Sequence, residues 1–274
     1  MIGRVLAATM IVSAIASTAI AAEPLQPTSK WIVDFDEAQC VASRNYGDKD
    51  RPLYLTFKSP AVGESMQMAV IRPAGSATPE PEEKRGLLAL GNAEPLKIGV
   101  LAVTVKKTKQ RFFRVNLSAD QIAALRNSKT ISLSAGGELH ETFVVDEVPA
   151  LLKVMDNCVV DLRKVWNASN GDGQPPSKQR SARGNLQAVF KPEDYPADAM
   201  FDGVGGTAKF VVLIDENGKV ADCTIVETSG IASLDAQSCG IIQTRVTFKP
   251  AIGLDGKPTK DTWSQRVTWR VEEW

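Results

Sequence analysis

The 274-residue chain is poor in the residues that most catalytic chemistry uses. It has one histidine, His140, so any mechanism needing two histidines is excluded. His140-Glu141 opens like an H-E-x-x-H zinc site, but Val144 occupies the second ligand position, and His140 reads as an ordinary turn or strand residue. There is no C-x-x-C pair, no G-x-S-x-G or S-x-x-K nucleophile motif, and no G-x-G-x-x-G or G-x-x-x-x-G-K-[ST] phosphate loop. Gly203 to Gly206 leads into a strand rather than a helix, so no helix N-terminus waits there for a phosphate. Net charge is also missing: Lys+Arg and Asp+Glu are 32 each, which gives no basic footprint for nucleic acid or an anionic membrane. The sequence therefore names no cofactor, no metal and no enzyme reaction. Scattered acidic residues leave paired-carboxylate catalysis open.

What is present is ordinary globular composition, 43% hydrophobic and 23% charged. One long apolar run exists, Val5 to Ile20, behind a positive charge at Arg4 and ahead of Ala19-Ile20-Ala21. Small residues at the −3 and −1 positions suit signal cleavage after Ala21, so the exported chain is expected to begin at Ala22, in the periplasm. The competing reading is an uncleaved inner-membrane anchor, for which the run is short and Ala-rich. All four cysteines lie beyond it, and an even count in an exported chain reads as two disulfides.

The expected organisation is α+β: a signal peptide over 1–21, a strand-rich domain over 31–166, a flexible linker over 167–185 and a small domain over 186–274. The linker is rich in Gly, Pro, Ser and Asn and has little to bury. In the strand-rich region, short apolar or alternating runs occur at 53–57, 66–71, 98–105, 111–117, 130–134 and 141–145. Pro73 to Arg85 reads as a long exposed loop. A helix is expected after the N-cap Ser118, with Gln121 closing a capping box, and another after Pro149, carrying Cys158. Pairing Cys40 with Cys158 ties both ends of this region together.

The last region is more explicit. Thr207–Ile214 and Lys219–Glu227 flank Asn217-Gly218, a type I′ hairpin signal that sets Ile214 against Ala221, Val212 against Cys223 and Phe210 against Ile225. A helix capped by Ser233 places Leu234, Cys239, Ile241, Ile242 and Val246 on one arc, so Cys223 meets Cys239. Trp263, Val267, Trp269 and Val271 then alternate with Ser264, Arg266, Thr268 and Arg270, a strand with one face buried and a polar outer face.

The region also carries Tyr195-Pro196-x-x-Ala199, Gly203-x-x-Gly206, Ile214-Asp-x-Asn-Gly218-x-Val220, Thr228-Ser-Gly230, Leu234-Asp235, Phe248-x-Pro-Ala251 and Asp255-Gly-Lys-Pro258. In this order over 195–271, these motifs resemble the C-terminal domain of the TonB family of periplasmic energy transducers. The resemblance implies a non-enzymatic module that binds an extended peptide of an outer-membrane receptor, or another envelope protein, along its last strand, with a role in transport across the envelope. The Pro-rich rod of that family is absent, and a cysteine-containing region stands in its place. Spatial order 2-1-3 for hairpin and last strand leaves the last strand with a free edge, so Ser264, Arg266, Thr268 and Arg270 are the expected partner-binding residues. The alternative is an envelope enzyme or small-ligand protein whose site lies in the N-terminal region. Membrane association is expected only if the signal stays uncleaved; oligomeric state is not legible.

Overall fold

A computed structural model describes residues 23–75, 81–168, 178–186 and 189–271. The expected signal peptide lies outside the described residues, as does the middle of the expected linker. No helix among the described residues is long and apolar enough to cross a membrane.

The N-terminal part is one antiparallel half-barrel sheet. Its strands are β1 (Ile32–Phe35), β2 (Cys40–Asn45), β3 (Tyr54–Ser59), β4 (Met66–Pro73), β5 (Glu82–Leu90), β6 (Leu96–Val105), β7 (Gln110–Leu117), β8 (Thr130–Ala135) and β9 (Leu139–Val144). They lie in the order β1-β2-β3-β4-β7-β6-β5-β8-β9. Helix α1 (Ala119–Arg126) carries the capping box read from Ser118 and Gln121. Helix α2 (Val148–Val165) lays Leu151, Leu152 and Met155 onto a core with Phe57, Met68, Phe113 and Leu133. The alternating burial of β7 shows the period-2 rule at work: Arg111, Phe113, Val115 and Leu117 are buried, while Phe112, Arg114 and Asn116 face the other side.

Strand β5 starts inside the stretch read as an exposed loop. The charges that argued against a strand are paired there: Lys84 reaches Glu138 at 2.9 Å and contacts Glu82, and the buried Arg111 reaches Glu138 at 3.2 Å. Charge pairing across strands stabilises what polarity alone disfavours.

The C-terminal part contains β10 (Lys178–Arg180), a 3-10 turn (Pro192–Asp194), α3 (Ala197–Phe201), β11 (Gly206–Ile214), β12 (Val220–Glu227), α4 (Ala232–Arg245), β13 (Ala251–Gly253), β14 (Pro258–Thr259) and β15 (Asp261–Trp269). Two three-stranded sheets form, β12-β11-β15 and β10-β13-β14. Phe210, Val212, Cys223 and Ile225 pack with Ile242 and Val246 of α4.

Three details differ from the sequence expectation. Val212 faces Cys223 and Phe210 faces Ile225, but an irregularity after Leu213 sets Ile214 against Val220 rather than Ala221. Only Gly218 of the turn has positive φ (78°), so the connection is not type I′. The Asp215 carboxylate accepts from Asn217 N–H (2.9 Å) and Lys219 N–H (2.7 Å), and this longer turn displaces the register. Helix α4 begins at Ala232 without a capping side chain of its own, and Ser233 is its second residue rather than its cap.

The end of the expected linker is also structured. Lys178 to Arg180 pair with β13, Ala182 is buried, and the fully buried Asp261 holds both Lys178 and the Ala182 N–H (2.8 Å). A composition-based reading could not see this, because the segment is ordered by partners distant in sequence.

Cys40 is bonded to Cys158 (S–S 1.99 Å) and Cys223 to Cys239 (2.04 Å). The first bridge sits in a cluster of Ala61, Val159, Leu162, Trp166 and Leu213. Leu213 belongs to the far side of the C-terminal sheet, so β11 is covered on both faces. This accounts for its nearly unbroken apolar run.

A strand edge left open as the candidate functional site

The site is built on β15, whose register with β11 runs from Gly206↔Trp269 to Ile214↔Asp261. Trp269 anchors its end. It is buried, its Nε1–H donates to Ser238 Oγ at 3.0 Å, and Phe190 and Tyr195 meet it edge-on at 5.6 and 5.4 Å. Trp263 packs edge-on to Phe248 at 5.2 Å. Trp269 is thus a core residue and Trp263 a partly buried one packed against the core, and both fix the strand.

The two edges of the β12-β11-β15 sheet have different fates. The β12 edge is met by the loop between β3 and β4: Ser65 Oγ donates to Ile225 O at 3.0 Å, and a Cβ on Gly63 would lie 2.8 Å from Val226. Lys58 adds an ion pair with Asp222 at 2.8 Å. The β15 edge pairs with no strand among the described residues.

The even-numbered residues of β15 point their backbone groups to that open edge. The Arg266 N–H donates to Gln265 Oε1 (3.1 Å) and the Thr262 N–H to Asp261 Oδ1 (2.8 Å), so neither is spent on β11. By alternation, Ser264 and Thr268 present N–H and C=O outward as well. Ser264, Arg266, Thr268 and Arg270 are all exposed. Ser264, Arg266 and Thr268 lie opposite Val211, Lys209 and Thr207. Gln265 was not singled out from sequence; its Oε1 is the acceptor for the Arg266 N–H at this edge.

The electrostatics depart from a simple basic edge. Glu227 receives Lys209 at 2.9 Å and Arg266 at 2.9 Å, in a row crossing all three strands. These two cations, Lys209 first, hold the Glu227 carboxyl below its ordinary range. Arg266 is therefore partly neutralised by Glu227, which a linear sequence reading could not show. Thr268 shares a hydroxyl hydrogen bond with Thr207 at 2.9 Å.

No group of histidine, cysteine or acidic residues suited to a metal occurs among the described residues. His140 is exposed on β9. Residues 191–271 match the family described as Gram-negative bacterial TonB protein C-terminal. The TonB match covers α3, β11, β12, α4 and β15, so it coincides with the sheet that owns the open edge. TonB C-terminal domains are non-enzymatic protein-interaction domains of the envelope. No curated protein matches the chain.

Proposed function

We propose that the chain is a periplasmic protein-binding module in which an extended segment of an envelope protein, such as an outer-membrane receptor peptide, adds to the outer edge of β15. The observation that carries this reading is the asymmetry of the sheet: the β12 edge is covered by the chain's own N-terminal part, and the β15 edge is open. Main-chain bonding supplies affinity in such complexes, and side chains on alternate positions supply selectivity. Ser264, Arg266 and Thr268 offer the main-chain groups, with Arg270 beyond the strand's end. Because Glu227 already holds Arg266, selectivity for acidic partner residues falls mainly to Arg270.

The test uses the full chain immobilised against periplasmic and outer-membrane extract, with Ser264→Pro and Arg266→Ala in parallel. Proline removes an outward N–H that β11 does not use, so the fold is kept and capture is lost. Arg266→Ala leaves capture nearly intact. A folded Ser264→Pro protein that captures the same partner as strongly as wild type excludes addition at this edge.

A further inference from the structure

The C-terminal part stands over the face of the nine-stranded sheet that α2 does not cover. A cleft of about 1870 Å³ lies between them, with Ser65, Glu83 and Ile225 among its lining residues. On its floor the strand registers set side chains in three rows. The central row runs Thr56, Ala69, Arg114, Leu101 across β3, β4, β7 and β6. On one side lies an apolar row of Ile71, Phe112 and Val103; on the other a polar row of Lys58, Gln67 and Asn116.

Arg114 is the unusual member. Its guanidinium lies 5.2 Å from the Phe112 ring centroid, and it makes no ion pair or hydrogen bond with any described residue. Among the other cleft cations, Lys58 and Lys209 are held by Asp222 and Glu227, while Arg85, which faces Asp202, and Lys97 are exposed to solvent, so Arg114 alone is a largely covered cation without an acid. Glu83, in register beyond Leu101, is committed to Ser233, whose N–H and hydroxyl lie at 3.0 and 3.3 Å. A partly buried cation without a counter-charge is costly, and an anion placed against it recovers that cost. Burial lowers the Arg114 pKa with no acid opposing it, in keeping with this environment.

We infer that the cleft binds a small amphiphile of the fatty-acid class, its carboxylate on Arg114 and its hydrocarbon body along Leu101, Phe112, Ile71 and Val103. A peptide laid on the same row would leave its amides without partners there, whereas a hydrocarbon chain has none to satisfy. The planar guanidinium suits a bidentate carboxylate. This site is separate from the β15 edge and does not depend on strand addition.

The experiment is calorimetric titration of the full exported chain with decanoate below its micelle concentration, with 1-decanol and acetate as comparators. Saturable one-to-one decanoate binding is expected, at least about ten-fold tighter than decanol, with none for acetate. Arg114→Gln, which removes an uncompensated charge and keeps the fold, should weaken decanoate at least about ten-fold. A second variant fills the cleft from the opposite wall: Gly240 of α4 lines it, a Cβ built there meets nothing within 4 Å, and Gly240→Phe should abolish binding. Ser264→Pro should bind decanoate as wild type does. Absence of saturable decanoate binding to the wild-type chain, or equal binding by wild type and both cleft variants, overturns the inference.

Discussion

Removing the two disulfides separately should cost different amounts, and the difference follows from chain length. Cys40 and Cys158 are 118 residues apart, Cys223 and Cys239 only 16. In the chain-entropy model the longer loop contributes about 5 kcal/mol and the shorter about 3 kcal/mol. Packing widens the gap. Cys40 and Cys158 are fully or almost fully buried beside Trp166 and Leu213, so alanine leaves a void in the cluster through which α2, β2 and β11 touch. Cys223 and Cys239 lie closer to the cleft surface. The assay is urea unfolding of Cys40→Ala/Cys158→Ala and Cys223→Ala/Cys239→Ala, followed by tryptophan fluorescence and circular dichroism. The first double variant should lose at least about 2 kcal/mol more than the second, the loop-entropy difference setting the minimum and the void adding to it. Equal losses, or the reverse order, would refute the reasoning. So would a non-reducing peptide map that joins Cys40 or Cys158 to Cys223 or Cys239.

Asp261→Ala strands Lys178 and the Ala182 N–H, and should destabilise the protein by about 3–5 kcal/mol in the same urea assay. Gly218→Ala meets Phe248 O at 1.9 Å and a φ of 78°, so it should cost about 1–3 kcal/mol and loosen the β11–β12 turn. Glu83 supplies the cap that α4 lacks, and burial raises its pKa above the unfolded value despite the Ser233 N–H. The native state then holds the proton longer than the unfolded state, so this stabilisation is full below the unfolded carboxylate range and is lost as pH rises through the raised value. Glu83→Gln should flatten that part of the melting-temperature profile.

The C-terminal part was the more legible in sequence because its signals are local. Alternation in 263–269, the apolar arc of α4 and the hairpin pairs at Val212 and Phe210 each depend on residues close in the chain, whereas Val271, expected on the buried face, is exposed beyond the end of β15, where pairing with β11 has stopped. The errors lie where distant groups decide. Charged β5 is a strand because Arg111 and Glu138 complete its pairs. Lys178 to Arg180 are ordered because Asp261 and β13 receive them. At the site, periodicity gave the outward face of β15. The neutralisation of Arg266 by Glu227 and the cover over the β12 edge both need the assembled fold. The cleft around Arg114 was invisible, since its rows cross from β4 to β7, strands that pair in space but are not consecutive in the chain.

Backbone amide exchange resolved at β15 tests the central claim most directly. In the free chain, the Ser264 and Thr268 amides should exchange rapidly, while those of Trp263 and Val267, directed to β11, should be protected. On binding its envelope partner, Ser264, Arg266 and Thr268 should gain protection together, the mark of a new strand at the open edge. Capture of that partner with no change at these three amides would contradict the account.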